Sequence, residues 1–381
     1  MARRPQSKPP VLPGFVYVRP LGSGGFADVF LYEQDMPRRV VAVKVLTADA
    51  VNPDARAQFA GEADVMARLS AHPSILTIYE ASISGDGRPY LAMEFCPESM
   101  GERYKQAPLP VGLVLDTGVR MAGALETAHR SGVLHRDIKP SNILVTTLGQ
   151  PVLADFGIAA ALRPFDDGDQ FVAMSVPWSS PEVVTEATTG TVRSEIWSLG
   201  ATLYTLLAGR SPFAEPQRER NTRDLMKARV AKAQYSPIGR PDVPRPVESL
   251  LARTMSRDPA MRQQSMLELG EELRSLQAQL GLLQSPLEVV SREYAGGPID
   301  SSFREGATAP PRGPVVVTVQ QDSRRLARST KQPLGRPVAA EEIEPGAGRA
   351  GALKWGLIGG AVALVAAGAA VAVLVLTGAF G

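Results

Sequence analysis

Polar residues that could do chemistry lie in two short stretches near the middle of the chain. The stretch 133–144 carries Asp137, Lys139 and Asn142 between apolar residues that are typical of short buried strands. The stretch 153–157 places Asp155 at the start of a turn that contains glycine. Carboxylate, ammonium and amide groups at this spacing suit a phosphate and its metal ion.

Each of these residue types has a chemical role in phosphoryl transfer. Mg²⁺ prefers hard oxygen ligands, which Asn142 and Asp155 can supply. The carboxylate of Asp137 can orient a hydroxyl nucleophile, and the ammonium of Lys139 can neutralise charge on the moving phosphoryl group.

The two stretches together resemble the protein kinase family, whose members carry His-Arg-Asp and Asp-Phe-Gly motifs. This chain has them at residues 135–137 and 155–157. The resemblance implies ATP as the phosphate donor, and Mg²⁺ as the metal with Mn²⁺ as an alternative. It implies catalytic roles for Asp137 and Lys139, metal binding by Asn142 and Asp155, and, through Lys139, specificity for Ser and Thr hydroxyls.

Composition sets the limits of this interpretation. The 381 residues are 44% hydrophobic, enough for a sizeable core, and the net charge of +2 gives no global field for nucleic acid, so no nucleic-acid partner is predicted. The single Cys96 excludes an intramolecular disulfide and fits a reducing compartment. His72 and His129 have no metal-ligand partner at useful spacing, and we interpret both as structural. The polar, Pro-rich start without an apolar signal segment predicts a cytoplasmic N-terminus.

A glycine-rich stretch near the N-terminus predicts the element that would cover the phosphates. β-prone residues flank the stretch 21–27, which favours a hairpin whose tip lets backbone amides approach a phosphate. An ordinary tight hairpin is the alternative. Ala27 stands where the kinase pattern has its third glycine. The resemblance implies that the ATP-binding residues here include Leu21, Gly22, Ser23, Gly24, Val29 and Ala42.

Lys44 is the one cation in the apolar stretch 40–46, and a buried lysine needs a partner. The following stretch, 54–70, has helical spacing of apolar residues and includes Glu62 among its inward positions. The resemblance implies that Lys44 contacts the ATP phosphates and pairs with Glu62. A surface lysine and a solvated glutamate are the alternative.

Two further strands, predicted over 75–84 and 90–95, complete a five-stranded N-lobe by resemblance. The second leads into a hinge, where the resemblance implies that Met93 guards the back of the adenine pocket. Backbone groups of Glu94 and Cys96 would bond the adenine edge. The thiol of Cys96 has no neighbour in sequence that would lower its pKa, so we interpret it as structural or incidental.

The segment after the second motif contains few hydroxyl groups. No Ser, Thr or Tyr occurs from 158 to 174, whereas Asp166, Asp167 and Asp169 form an acidic cluster. One hypothesis is that these carboxylates partly replace a phosphate in pairing with Arg136. A solvated acidic loop is the other interpretation, and the sequence leaves both open.

Two positions bear on how the larger lobe would hold the catalytic segment. By resemblance, Glu182 of Ser-Pro-Glu pairs with Arg262 as a structural clamp, and Ser175 contacts the substrate pocket. Glu195 stands where the family usually has Asp, at the start of a central buried helix. It keeps the charge but moves it by one methylene, which puts the rigidity of the catalytic loop in question.

The C-terminal part predicts a membrane anchor. The stretch 278–352 is rich in Pro, Gly and Arg, which favours a disordered juxtamembrane linker with a basic cluster. The stretch 353–380 predicts a transmembrane helix, because no charged residue occurs from Trp355 to Phe380. Basic residues precede this stretch, so the kinase domain would face the cytoplasm of a single-pass membrane protein. Gly356 and Gly360 would allow a homodimer of helices, and such pairs are also common without one.

The sequence therefore predicts an α+β, bilobal protein-kinase fold with a small β-rich N-lobe and a larger helical C-lobe. Its parts would be an N-terminal flexible arm (1–12), the kinase domain (13–277), the linker (278–352) and the transmembrane helix (353–380). The predicted activity is that of a serine/threonine protein kinase in membrane-associated signalling, including autophosphorylation, with protein substrates. A membrane-tethered pseudokinase scaffold and a small-molecule kinase of related fold are the alternatives.

Overall fold

The computed structural model describes residues 6–24, 27–47, 63–156 and 175–290. Five strands form an antiparallel sheet in the order β1-β2-β3-β5-β4. They are β1 (Phe15–Ser23), β2 (Ala27–Asp35), β3 (Arg38–Leu46), β4 (Ile78–Ile83) and β5 (Pro89–Glu94). The predicted glycine-rich hairpin and the five-stranded N-lobe are confirmed.

The alternation of side chains along β3 explains why this sheet has two different faces. Successive strand residues point to opposite sides, so Val41, Val43 and Val45 share one side. These three valines are fully buried in one apolar cluster with Phe30 of β2. The opposite side of β3 carries Lys44, which therefore faces away from that cluster.

Residues 6–12 lie against this sheet. The backbone N–H of Ser7 donates to Asp28 Oδ2 (2.9 Å). Arg88 Nη2, from the turn between β4 and β5, donates to the carbonyl of Lys8 (2.9 Å). This part of the predicted flexible arm is therefore packed, because buried polar partners on the sheet satisfy its backbone.

A second sheet and a set of helices form the larger lobe. The sheet has the order β6-β7-β8, with β6 (Glu98–Ser99), β7 (Ile143–Val145) and β8 (Pro151–Leu153). The helices are α1 (described over 63–69), α2 (Met100–Gln106), α3 (Val111–Arg130), α4 (Pro181–Val184), α5 (Val192–Ala208), α6 (Arg223–Lys232), α7 (Arg245–Thr254) and α8 (Met266–Gln279).

Helices α3 and α5 form the buried centre of this lobe, and their ends position the catalytic segment. After α3, the backbone at Gly132 adopts φ +77°, which glycine permits at little cost and which stops the helix as its sequence predicts. Helix α5 begins with a capping box between Thr191 and Ser194. It ends at Gly209, with φ +70°. The catalytic stretch therefore leaves one rigid helix and packs against the start of another.

The folded part continues beyond the predicted boundary at residue 277. Helix α8 ends at Gln279, and residues up to 290 remain in contact with the larger lobe. The prediction of a disordered linker is therefore wrong for residues 278–290. In the described ranges, no helix is both long and apolar enough to cross a bilayer. The predicted transmembrane stretch and the rest of the predicted linker lie outside those ranges.

Candidate active site

The catalytic loop runs from the end of α3 to β7, and its apolar residues anchor it. Ile138 is buried in the main core, and Pro140 begins a short 3-10 turn that ends at Asn142. Because Ile138 and Pro140 are buried in the larger lobe, the polar side chains of Asp137 and Lys139 remain partly exposed to the cleft. The apolar residues of the loop therefore hold it in place, and its polar side chains remain accessible in the cleft.

The carboxylate of Asp137 is a centre of hydrogen bonding. Its Oδ2 accepts from Lys139 Nζ (2.6 Å) and from Asn142 Nδ2 (3.0 Å). Its Oδ1 accepts a short hydrogen bond from the hydroxyl of Ser175, and Lys139 Nζ also donates to that hydroxyl (3.2 Å). The structure therefore places a serine hydroxyl between the carboxylate predicted to orient a substrate hydroxyl and the ammonium group predicted to neutralise charge on the phosphoryl group.

Lys44 and Asp155 form an ion pair between β3 and the segment after β8. Lys44 Nζ lies 2.6 Å from Asp155 Oδ1. Burial acts to raise the pKa of the Asp155 carboxyl, but nearby cationic charge, chiefly that of Lys44, outweighs burial and holds this pKa below its ordinary value. Asp155 is therefore an anion at neutral pH. The predicted partner Glu62 lies outside the described residues, so that prediction stays open.

The backbone brings the two predicted metal ligands together. The N–H of Ala154 donates to the carbonyl of Asn142 (2.9 Å), which places Asn142 beside the residue that precedes Asp155. An amide oxygen and an ionised carboxylate are hard donors, and Mg²⁺ is commonly held by such groups together with substrate phosphates. The residues present fit a divalent metal with a bound nucleotide.

His135 links the two chemical stretches and is a residue that sequence reasoning passed over. Its Nδ1 accepts from the N–H of Asp137 (3.2 Å), so its Nε2 carries the proton and donates to the carbonyl of Ala154 (2.9 Å). The ring is fully buried against Phe156. Its position beside Asp137 in the motif was the available signal, but only the fold shows that it joins both loops.

Glu195 holds the catalytic loop from beneath. Its Oε1 accepts from the backbone N–H of Arg136 (2.6 Å), and its Oε2 lies 2.6 Å from Nε2 of His129. Arg136 has φ +64°, a conformation that costs a non-glycine residue on the order of 1 kcal/mol unless its surroundings fix it. The glutamate thus retains its contact with the catalytic loop despite the extra methylene, and its second oxygen contacts a histidine of α3.

The residues predicted to line the adenine pocket share one apolar cluster between the two sheets. Met93 and Ala42 are buried there, and Leu144 of β7 joins them from the opposite side, a residue that sequence reasoning did not select. The other predicted members in the cluster are Leu21, Val29 and Cys96. Burial, reinforced by Glu94, raises the pKa of Cys96 to about 12, which agrees with an unreactive thiol.

The remaining predicted nucleotide contacts lie at the edges of this cluster. Gly22 and Ser23 end β1, and the N–H of Gly24 donates to the carbonyl of Ala27 across the turn (2.8 Å). The backbone N–H of Glu94 donates to the carbonyl of Thr77 (2.9 Å), so that N–H is already engaged. The acidic cluster predicted to pair with Arg136 lies outside the described residues.

The predicted clamp between Glu182 and Arg262 is confirmed. Arg262 donates to both carboxylate oxygens of Glu182, at 2.7 and 3.0 Å, and its side chain is fully buried beside the ring of Trp197. Burial acts to raise the pKa of Glu182, but the hydrogen bonds from Arg262 outweigh it, so this pKa lies below its ordinary value.

Residues 15–270, well over half of the chain, match the family model described as a protein kinase domain. The chain belongs to the protein kinase family. Family membership implies ATP and a divalent metal, and it confirms the resemblance drawn from the two motifs.

Several curated relatives share this region. The serine/threonine-protein kinase PknK of Mycobacterium tuberculosis is 37% identical over 271 residues, which is 71% of this chain and 24% of that protein. The serine/threonine-protein kinase pkn2 of Myxococcus xanthus is 34% identical over 279 residues, 70% of this chain and 33% of that protein. PrkC of Bacillus subtilis, also named a serine/threonine-protein kinase, is 31% identical over 262 residues, 68% and 40%. The chain thus covers a minor part of each of these relatives.

The clamp between Glu182 and Arg262 should give the fold a defined dependence on pH. Because the folded-state pKa of Glu182 is lowered, the pair contributes its full stability above the ordinary carboxyl value of 4.5 and loses it as pH falls through the lowered value. Glu182→Gln should reduce the free energy of unfolding at pH 7 by about 3 kcal/mol. The difference in free energy of unfolding between Glu182→Gln and the wild type should become smaller as the pH falls through the lowered pKa of Glu182.

Urea unfolding followed by tryptophan fluorescence at several pH values measures this effect. The control is Asp242→Asn, which removes an exposed partner of Arg240 and should leave stability at neutral pH close to that of the wild type, because water screens exposed ion pairs. Equal effects of the two substitutions at pH 7 would show that the clamp adds nothing beyond a surface ion pair.

Proposed function

We propose that this protein is a serine/threonine protein kinase that transfers the γ-phosphoryl group of ATP to Ser and Thr hydroxyls of proteins. The observation that carries the proposal is the arrangement around Asp137. Its carboxylate accepts a hydroxyl hydrogen bond from Ser175 while Lys139 donates to the same hydroxyl. The names of the curated relatives support the same activity.

The side chains present account for the steps of such a transfer. Asp137 orients the substrate hydroxyl in the position that Ser175 now illustrates, and it can accept the hydroxyl proton as the oxygen attacks phosphorus. Lys139 lies beside that oxygen and stabilises the negative charge of the transferred phosphoryl group. Asn142 fixes the orientation of Asp137 by donating to its carbonyl (2.8 Å) and to its carboxylate. Positioning and charge stabilisation supply most of the catalysis.

The nucleotide would occupy the cleft between the two sheets. The apolar cluster with Ala42, Met93 and Leu144 offers the adenine a surface, and Lys44 provides a cation for the phosphates. Asn142 and Asp155 would hold the metal, for which we propose Mg²⁺, with Mn²⁺ as a substitute. The metal would neutralise phosphate charge and orient the γ-phosphoryl group.

A pseudokinase scaffold is the alternative, and the geometry does not favour it. A nucleotide-binding scaffold needs the apolar cluster and Lys44. It has no need of a carboxylate and an ammonium group that converge on one hydroxyl. The departures at Ala27 and Glu195 leave the described contacts of Asp137 in place.

Phosphate transfer from labelled Mg-ATP to a generic Ser/Thr protein tests the proposal. Asp137→Asn should lower turnover by about 10²–10⁴-fold, because the orienting carboxylate is lost, while affinity for the nucleotide remains close to that of the wild type. The matched control Asp242→Asn, at an exposed aspartate that pairs with Arg240, should keep full turnover. Phosphoamino-acid analysis should show phosphoserine and phosphothreonine.

The scaffold alternative predicts a different pattern. Wild-type protein that binds ATP but transfers no phosphate would contradict the kinase proposal and support the scaffold. Equal transfer by the wild type and Asp137→Asn would show that the label comes from a contaminating enzyme or from another site.

We also propose that a helix over 353–380 anchors the protein in the cell membrane with the kinase domain in the cytoplasm. Its support is the charge-free stretch from Trp355 to Phe380 and the basic residues before it. After alkaline carbonate extraction, the full chain should stay with the membranes, and a chain ending at residue 350 should be released. Release of both would contradict the anchor.

A further inference from the structure

The chain that leaves the kinase domain folds back onto it. We name residues 282–290 the tail segment. It lies between helices α3 and α8, and Leu287 packs against the main core. The family match ends at residue 270, so this segment adds contacts outside the matched domain.

Ser285 anchors the beginning of the tail segment. Its N–H donates to Oε1 of Gln277 (2.9 Å), and its hydroxyl donates to Oδ1 of Asp116 on α3 (2.5 Å). Ser285 and Gln277 are both buried. The buried polar groups of Ser285 are therefore hydrogen-bonded, as is expected of a specific contact within the fold.

Two glycines provide the space for the rest of the tail segment. A Cβ at Gly123 of α3 would lie 2.3 Å from the carbonyl oxygen of Glu288, and one at Gly270 of α8 would lie 2.7 Å from the side chain of Leu287. Glycine in a helix interior is less favourable than alanine by about 1 kcal/mol. Gly123 lets the tail backbone approach α3 closely, and Gly270 leaves room for the side chain of Leu287 beside α8.

The end of the tail segment reaches the loop between the two lobes. Nδ1 of His72 accepts from the N–H of Ser74 (3.0 Å), so its Nε2 carries a proton and donates to the carbonyl of Glu288 (2.9 Å). The N–H of Val290 donates to the hydroxyl of Thr127 on α3 (3.1 Å). Burial lowers the pKa of His72, which keeps the ring neutral at pH 7.

The loop that contains His72 borders the nucleotide cleft. It follows α1 directly, and it pairs with β8 through Leu76 N–H to Leu153 O and Leu153 N–H to Ser74 O, both 2.9 Å. Strand β8 leads within two residues to Asp155. The tail segment is thus connected through His72 and its loop to the strand that leads to Asp155, a predicted metal ligand.

We infer that the tail segment is a latch that positions the loop over residues 72–77 and thereby the nucleotide site. His72 is a positioning residue in this arrangement. When the segment is docked, α1 and β8 are held in the geometry that binds the nucleotide, and when it leaves α3, affinity for the nucleotide falls. The inference rests on the proposed function only in taking ATP as the nucleotide.

The test uses full-length protein and two matched pairs of variants. Gly123→Ala places a methyl group against the Glu288 carbonyl, whereas Gly112→Ala on the same helix meets the tail segment without a clash, at Leu282 and an ordinary 3.6 Å. His72→Asn can keep the bond from Ser74 but is too short to reach Glu288. His72→Gln carries its amide far enough to restore that bond.

Two measurements are made on each variant: amide hydrogen exchange, and affinity for a non-hydrolysable ATP analogue with Mg²⁺. Gly123→Ala and His72→Asn should speed exchange at Leu76, and Gly123→Ala also at Val290. Both should weaken analogue binding on the order of tenfold. Gly112→Ala and His72→Gln should stay within about twofold of the wild type.

Two results would overturn the latch. Faster exchange at Val290 with unchanged analogue affinity would show that the tail segment covers the surface without positioning the site. Unchanged exchange at Val290 in Gly123→Ala would show that the tail segment does not pack against α3 at Gly123. A wild type that binds the analogue but transfers no phosphate would contradict the proposed function alone, because analogue affinity still reports on the latch.

Discussion

A single buried carboxylate supports the catalytic loop. Glu195 lies inside the larger lobe, where an unpaired charge would be costly, and its two oxygens contact the backbone of Arg136 and the ring of His129. The first contact holds a peptide with positive φ next to Asp137. That peptide sets the position of Asp137. The contacts of Asp137 with Lys139 and Ser175 therefore depend on the hydrogen bond between Glu195 and the backbone of Arg136.

Among the described residues, specific contacts around this loop join the two lobes. Lys44 spans from β3 to Asp155, and His135 joins the catalytic loop to Ala154, the residue directly before Asp155. The loop over 72–77 pairs with β8 on the other side. The geometry of the site therefore depends on the whole domain, because each candidate catalytic or binding residue is held by an element from elsewhere in the chain.

The kinase resemblance predicted the β-sheet N-lobe and the helical C-lobe, and it named residues that the structure brings together around Asp137. Resemblance to the kinase motifs is what singles out Asp137, Lys139 and Asn142, whereas strand alternation places Lys44 on the side of β3 away from the valine cluster. The sequence could not show that Glu195 would still reach Arg136, because this contact depends on the distance between two backbone segments far apart in the chain. Likewise, Leu144 joins the adenine cluster through the pairing of the second sheet.

The ends of the domain were the least predictable part. Residues 1–12 are polar and rich in proline, whereas residues 278–290 hold a single proline and were assigned to the linker with the Pro-, Gly- and Arg-rich stretch that follows them. Residues 6–12 and 278–290 are held by partners that no local pattern shows: Asp28 and Arg88 at one end, Gly123 and His72 at the other. Small residues in a helix also have ordinary reasons to occur, so Gly123 alone gives no signal of a docked segment.

The most direct test of this account is the kinetics of Glu195→Asp, with the partly exposed Glu268→Asp as the matched control. The shorter side chain should be unable to contact both Arg136 and His129. Turnover should therefore fall by about 10–100-fold, while affinity for an ATP analogue with Mg²⁺ stays near that of the wild type. Wild-type turnover in a folded Glu195→Asp protein would contradict the claim that this carboxylate positions the catalytic loop through both contacts.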